Sequence, residues 1–267
     1  MPVFGQENPC YLTDSLQSLV EQTLPPVQVV IVENSGRSEE VEAVFEKYQS
    51  ELPLDFLMLE PGLTLGALLN KGLDRCRGDF IARMDSDDIS LPQRFERQVV
   101  FLERNPDIDV LGSCAIEIDA EGKRGALRKR PLSHLAIIKT LWANPFVHPT
   151  IMCRKGLLQS VGGYSETLTG EDYELWFRGA KAGWRFANLE EPLILYRFDA
   201  KALRKPWRSM KFALQQGMVG FKMGGELKMP LWSRLACFAP FFRALLPDCV
   251  KYPLYKIQKK LDPRYRL

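Results

Sequence analysis

Two short acidic stretches carry the residue types most able to do chemistry in this chain. The first is Asp85-Ser86-Asp87-Asp88, which directly follows the apolar run Phe80-Ile81-Ala82-Arg83-Met84. If that run continues as a strand, side chains alternate with period 2, and Asp85 and Asp87 face the same side. Two carboxylates at the C-terminal end of a strand can share a hard divalent cation, Mg²⁺ or Mn²⁺. Such an ion would neutralise a diphosphate leaving group. Ligand crevices of open α/β sheets lie at these strand ends, so position and chemistry agree. Alone, the Asp-x-Asp pattern is also an ordinary solvated turn ahead of a helix. In a phosphatase it would make Asp85 a nucleophile, but no downstream carboxylate pair on a strand end supports that chemistry. An EF-hand is excluded, because Ile89 and Ser90 stand where a ligand and a glycine are needed and Pro92 stiffens the loop.

The second stretch is Gly170-Glu171-Asp172-Tyr173-Glu174-Leu175-Trp176. Carboxylates at a helix start often do no more than complement the helix dipole. Their functional reading makes Asp172 a general base that removes a hydroxyl proton, with Glu171 holding the acceptor or positioning that base. The preceding Gly162-Gly163-Tyr164 supplies a turn that could bring this segment toward the first. His148, in Asn144-Pro145-Phe146-Val147-His148-Pro149-Thr150, is a candidate third metal ligand or phosphate contact; a lone histidine is more commonly a satisfied structural residue.

The elements that must position these groups read as alternating helices and strands, the pattern of an α/β sheet. Thr13 or Asp14 can cap a helix bearing Leu16, Leu19 and Val20. Val27 to Val32 is an almost unbroken β-branched run, typical of a strand buried on both faces, and it stops at the turn chemistry of Glu33-Asn34-Ser35-Gly36. Ser38 can cap a helix carrying Val41, Val44, Phe45 and Tyr48, and Leu54 to Leu59 reads as the next strand. A helix from Leu65 to Arg77 ends at Gly78, and Pro92 suits the first turn of a helix carrying Phe95, Val99 and Leu102. Ile108 to Arg130 reads as a hairpin turning at Glu121-Gly122. A helix over Leu135 to Trp142, a strand over Thr150 to Cys153, a helix from Glu171 to Ala182 and a strand over Leu193 to Tyr196 complete the body.

The chain has 267 residues, room for one large domain and a smaller appendage. The division predicted is a body over residues 1–200 and a helical, basic extension over 201–267. From Lys201 onward there are 15 Lys/Arg against 3 Asp/Glu, whereas the rest carries 21 against 30. An acidic body with a basic tail points to an anionic surface such as a membrane, and a solvated helix face is the plainer alternative. Trp207, Trp232, Phe241, Phe242, Tyr252 and Tyr255 among those cations suit a segment lying in a membrane interface. Leu231 to Leu246 is too short and too interrupted to span a bilayer. Six scattered cysteines without a C-x-x-C pair predict reduced, mostly buried thiols, and the first residues are no signal peptide, so the expected place is the cytoplasm, peripheral to the inner face of the membrane. No nucleic-acid partner is expected.

Taken in order over roughly residues 1 to 198, MPVF, SLQSLVEQTLPPVQVVIVENSG, LGALLNKGLDRCRGDFIARMDSDDISLPQRFERQ, HPTIMCRK, VGGY and GEDYELWFR resemble the inverting family-2 glycosyltransferases with the GT-A fold, especially bacterial members that build exopolysaccharide or lipopolysaccharide. The resemblance implies a Rossmann-like mixed sheet flanked by helices. It implies transfer from a nucleotide-diphosphate sugar, with UDP favoured, to a saccharide or lipid-linked saccharide hydroxyl, by direct displacement. It assigns Asp85 and Asp87 to Mn²⁺ or Mg²⁺ and the diphosphate, Asp172 to the base, and Pro2, Val3, Phe4, Glu33, Asn70, Lys71 and Ser86 to the donor. Arg83 and Asp88 gain no role from it. Two departures stand out. Glu33-Asn34-Ser35-Gly36 replaces the Asp-Asp-Gly-Ser of many relatives, and the apolar strand that relatives carry before the M-P-V-F position is not seen, so a first strand is expected to be truncated. Read as a degenerate relative, the chain would be a weakly catalytic, membrane-associated binding subunit.

Overall fold

The computed structural model describes residues 1–5, 7–167, 170–198 and 206–246. A two-residue strand, β1 (Pro2–Val3), leads into α1 (Pro9–Val20). This helix starts ahead of the expected cap at Thr13 or Asp14. Asn8 accepts the Cys10 amide at 2.9 Å, and Pro9 takes the first helical position, where its missing N–H costs nothing. β2 (Val29–Glu33) is buried throughout, as its β-branched run predicts. Ser38 caps α2 (Glu39–Tyr48), which turns Val41, Phe45 and Tyr48 inward. β3 (Leu54–Met58) pairs in parallel with one edge of β2 and β1 with the other. α3 (Leu65–Arg75) ends before Gly78 because Gln28 captures its last turn: its side-chain NH₂ donates to the Arg75 carbonyl at 3.2 Å and its oxygen accepts the Arg77 amide at 2.9 Å.

The remaining strands form a mixed sheet: β4 (Phe80–Ala82), β5 (Ile89–Ser90), β6 (Val110–Ile118), β7 (Arg124–Arg128), β8 (Met152–Arg154) and β9 (Phe186–Arg197). Their order is β4-β8-β6-β9-β5, with β7 hairpinned onto β6, and only β6 and β9 run parallel. β9 begins well before the expected Leu193. The break at Glu190-Glu191-Pro192 is absorbed as a bulge, the register stepping from Ser113 opposite Leu189 to Cys114 opposite Pro192. Helices α4 (Arg94–Arg104), α5 (His134–Lys139), α6 (Leu157–Ser160) and α7 (Glu171–Lys181) flank the sheets. One apolar cluster packs Leu12, Leu16, Phe45 and Leu102 on one side; the other gathers Phe146, Trp176, Phe177 and Phe186 under α7. The predicted mixed α/β sheet with flanking helices is what the chain forms.

Where the sequence predicts a truncated first strand, Met1 runs beside β2, its amine donating to the Val30 carbonyl at 2.8 Å and its carbonyl accepting the Val32 amide at 2.9 Å. Between β2 and β4 lies a cavity of about 60 Å³ lined by Met1, Val30, Val32, Ile81 and Ala82, among others. At the other end, α8 (Pro206–Glu226), α9 (Leu231–Ala236) and α10 (Ala239–Ala244) form a helical layer on α7. Close approach there needs Gly220, where a Cβ would stand 2.5 Å from the Tyr173 hydroxyl and 2.6 Å from the Cys237 sulfur. Among the described residues no helix is long and apolar enough to cross a membrane. Lys201, Tyr252, Tyr255 and the side chain of Trp207 lie outside those residues. The five described cysteines are free thiols, three of them buried.

Candidate active site

β4 stops at Ala82, so strand alternation does not set the directions of Asp85 and Asp87; they lie in a loop with a turn at Ser86–Asp87. Distant groups clamp that loop instead. The Ser15 hydroxyl donates to the Asp85 carbonyl at 3.1 Å. Arg197, at the end of β9, donates from Nε to the Asp87 carbonyl at 2.9 Å, and its amide donates to Asp88 Oδ1 at 2.7 Å. The same guanidinium reaches the Asp119 carbonyl and Asp14 Oδ2, each within 3.1 Å, and stacks over Tyr11. Beneath the loop, fully buried Arg94 donates to the Arg83 carbonyl at 2.6 Å and to the Ser90 hydroxyl at 3.0 Å.

The clamped loop floors a cavity of about 280 Å³ lined by Pro2, Phe4, Glu7, Leu65, Asp85, Ser86, Asp87, Tyr196 and Arg197. Its carboxylates crowd one another. Burial, then Asp85 and Glu7, push the Asp87 carboxyl up to about 6. Burial, then Asp85 and Asp87, hold Asp88 well above the usual range, and its Oδ2 is buried without a partner. Like charges at this spacing favour either a proton or a cation. Asp85 already has one cation, Arg83, whose Nη2 lies 2.5 Å from its Oδ1. Arg83 also donates to the Met84 carbonyl, while its Nε is buried without an acceptor.

The second acidic stretch begins α7. Gly170 caps it in a left-handed conformation, φ 86°, which a side chain would strain. Simple dipole partners would face water. Here burial raises the pKa of both Glu171 and Asp172, most of all by desolvation. Asn144, itself left-handed at φ 51°, donates to Asp172 Oδ2 at 2.9 Å. A strained non-glycine residue oriented onto a buried carboxylate is a common mark of a working site. Glu171 Oε1 stands 4.0 Å from His148 Nδ1, and His148 Nε2 pairs with the Tyr164 hydroxyl at 3.0 Å. Burial, then Arg83, keep the histidine well below its ordinary range and therefore neutral. Trp176, one turn further along α7, packs on Phe146 and His148 and fixes this cluster from below. The start of α3 joins the two halves: Leu65 lines the cavity, and Gly66 lies against the Ser165 carbonyl and Glu171.

Among residues expected to meet the donor, Pro2, Phe4, Asp85 and Ser86 line the cavity, as does Asp87. Val3 is buried in the core. Glu33 ends β2 with both carboxylate oxygens 2.8 Å from Arg37 Nε. Asn70 holds the Gly163–Tyr164 turn, accepting the Tyr164 amide at 2.7 Å and donating to its carbonyl at 3.0 Å. Lys71 is exposed on α3. His148 stands with Glu171 and Tyr164, not with the two aspartates, because Trp176 packing holds its ring there. Among the described residues no group of three or more His, Cys, Asp or Glu is arranged to hold a metal. Sequence reasoning missed Arg197, Asn144, Glu7 and Tyr196. Asn144-Pro145 carries a turn signal, but Arg197 acts on a loop 110 residues away and leaves none.

A parallel three-stranded sheet and a mixed second sheet thus flank a cavity floored by an acidic loop. The family model "Glycosyl transferase family 2" matches residues 1–162, and the chain belongs to that family, whose members transfer a sugar from a nucleotide sugar with inversion. It is 38% identical to the amylovoran biosynthesis glycosyltransferase AmsE of Erwinia amylovora over 80% of this chain and 81% of that protein. It is 30% identical to the UDP-Gal:alpha-D-GlcNAc-diphosphoundecaprenol beta-1,3-galactosyltransferase of Escherichia coli, over 81% and 78%. In fold it resembles S. aureus TarS 1–349 in complex with UDP-GlcNAc, with TM-score 0.68 at 20% identity over 99% of this chain and 76% of that one. It spans 46% of the longer TarS chain.

Proposed function

We propose that this glycosyltransferase takes its sugar from a UDP-linked donor bound in the cavity above Asp85 and Asp87, and that Asp172 is its base. The observation that carries this reading is the pairing of a carboxylate-floored cavity with a buried, oriented carboxylate across the start of α3. Asp172 accepts the proton of the acceptor hydroxyl while that oxygen attacks the anomeric carbon. The bond from that carbon to the diphosphate breaks, and its electron pair leaves on the diphosphate oxygen. Asn144 holds the carboxylate, and Glu171, against neutral His148, is placed to hold the acceptor.

A divalent cation fits the residues present, since Asp85 and Asp87 are hard oxygen ligands whose mutual repulsion seeks a positive charge. Asp85 and Asp87 would hold it, and Glu7 lines the same cavity. When bound, it supplies Lewis-acid neutralisation of the leaving group. Relatives named for UDP-galactose transfer and for a UDP-GlcNAc complex support the choice of UDP, and another fold neighbour is a Pyrobaculum calidifontis mannosyltransferase with GDP-Man and Mn2+.

The acceptor in this reading is a lipid-linked saccharide of bacterial surface polysaccharide assembly, met at the inner face of the membrane. Leu231, Trp232 and Leu235 on α9, Phe242 on α10 and Leu245 just after it are all more than half exposed. Trp232 meets Trp142 at 6.2 Å, two residues before Asn144 and hence next to the base. A screen of nucleotide sugars with Mn²⁺, read as donor hydrolysis, tests the proposal without a known acceptor. Hydrolysis of a UDP-sugar supports it; none with any sugar, and no UDP binding, favours a binding subunit.

A further inference from the structure

We propose that Tyr196 reads the sugar being transferred, its phenol donating to a hydroxyl of that sugar, and that Arg128 is the positioning residue that holds the ring for this contact. The inference rests on the donor cavity proposed above and adds the residue that discriminates what the nucleotide carries.

Tyr196, near the end of β9, lines the cavity together with Pro2 and Phe4 and with Asp85 and Asp87 of its floor. Its ring is mounted on one face of the mixed sheet. Alternation puts Tyr196 and Phe198 on the same face, and Phe198 keeps its place because its amide donates to the Ile118 carbonyl at 2.9 Å. Glu117 of β6 stands opposite Tyr196 in the parallel ladder, hence on that face as well. Arg128 of β7 reaches across to it, Nε donating to Glu117 Oε1 at 2.8 Å, with both charged side chains only 15% exposed. The guanidinium lies 4.6 Å from the Tyr196 ring centre and 4.7 Å from that of Phe198, and the two rings are inclined by 26°. A planar cation shared by two aromatic rings and fixed by a carboxylate is a rigid mount.

What the mount does not use is the hydroxyl. A phenylalanine would stack on Arg128 as well as a tyrosine does. An enclosed tyrosine ordinarily finds a partner for its O–H, yet this half-buried one has no hydrogen-bond partner among the described residues. The phenol is an uncharged donor in a cavity whose floor is carboxylate. In the reading above, Pro2 and Phe4 go with the nucleoside and Asp85 and Asp87 with the diphosphate, which leaves the sugar for the wall that β9 supplies. Where a site hydrogen-bonds a substrate hydroxyl, an analogue without it is disfavoured, because the donor is then left unpaired.

The test compares Tyr196→Phe, Arg128→Met and Arg128→Lys with the parent. Each is measured for hydrolysis of the UDP-sugar that the parent uses best and of its monodeoxy analogues, for UDP–Mn²⁺ affinity by calorimetry, and for thermal melting. Tyr196→Phe is expected to lose about tenfold or more in kcat/KM for that UDP-sugar while UDP affinity moves less than about threefold. The gap between parent and variant should close for one analogue, the one lacking the hydroxyl that Tyr196 meets. Arg128→Met should show the same pattern, and Tyr196→Phe should cost less on that background than in the parent, as coupled residues do. Arg128→Lys keeps the charge without the planar face and should be coupled to Tyr196→Phe in the same way. If Arg128→Met fails to fold, Arg128→Lys decides alone: coupled losses support the mount, and additive losses overturn it. Parental kcat/KM in Tyr196→Phe, an equal fall in UDP affinity and UDP-sugar kcat/KM, or a gap that persists for every analogue overturns the sugar contact. Absence of UDP binding in the parent would instead remove the donor cavity itself.

Discussion

Asp172 and Asn144 concentrate the cost of this site in two side chains. A carboxylate whose pKa is raised in the folded state contributes stability below its unfolded pKa and loses it as pH rises through the folded value. At pH 7, therefore, buried Asp172 is a net cost. Asp172→Asn should abolish transfer and still raise the melting temperature at pH 7, by roughly 2–4 °C for each kcal/mol relieved, with the gain vanishing near pH 4. Melting curves at the two pH values check the sign; a lower melting temperature at pH 7 would mean that the carboxylate is stabilising. In the proposed role Asp172 must be ionised to accept a proton, so the acid limb of kcat/KM in the parent should lie above the ordinary aspartate range near 3.8. Asn144→Ala should lower kcat by about 10-fold or more while leaving UDP affinity unchanged, since it removes only the donor that orients the base.

The elements show what shapes the acidic loop, which is not a strand. Sequence periodicity places β2, α2 and the β6–β7 hairpin because each is decided by neighbours a few residues away. The pairing of Asp85 with Asp87 was legible in type and position but not in cause. Alternation was the expected reason, and the actual one is a clamp from Ser15 and Arg197, contributed by α1 and the end of β9. Such contacts leave no local pattern. The same holds for β9, expected from Leu193 but starting at Phe186 because a bulge against β6 carries the strand through Pro192. The ED-Y-x-L-W helix was readable because Trp176 and its acidic first turn sit on one element, whereas Asn144 reaches it from a separate loop. Arg197→Met would leave the Asp87 carbonyl without its donor, at about 1–3 kcal/mol if it stays buried, while the Asp119 carbonyl keeps the Gly122 amide. It should weaken UDP–Mn²⁺ binding by about tenfold or more and lower the melting temperature, and Arg197→Lys should not restore both, because one ammonium cannot span these partners. Unchanged UDP affinity in Arg197→Met would remove the clamp from the account.

At the scale of the whole molecule, a parallel three-stranded sheet and a mixed sheet flank the cavity, and α8 to α10 form a helical layer on α7. If the exposed apolar residues of α9 and α10 meet a membrane, the chain should bind vesicles containing anionic lipid, and Trp232→Glu with Phe242→Glu should reduce that binding by about tenfold or more without changing donor hydrolysis. Equal binding by parent and double variant in a sedimentation assay would argue that this face meets something other than lipid. The central claim, that Asp85 and Asp87 hold a cation for a nucleoside diphosphate, is tested most directly by calorimetric titration of UDP into the parent and Asp87→Ala, with and without Mn²⁺. The account predicts heat of binding for the parent only when Mn²⁺ is present, and none for the variant. UDP binding that is equally tight without the metal, or that survives intact in Asp87→Ala, would contradict it.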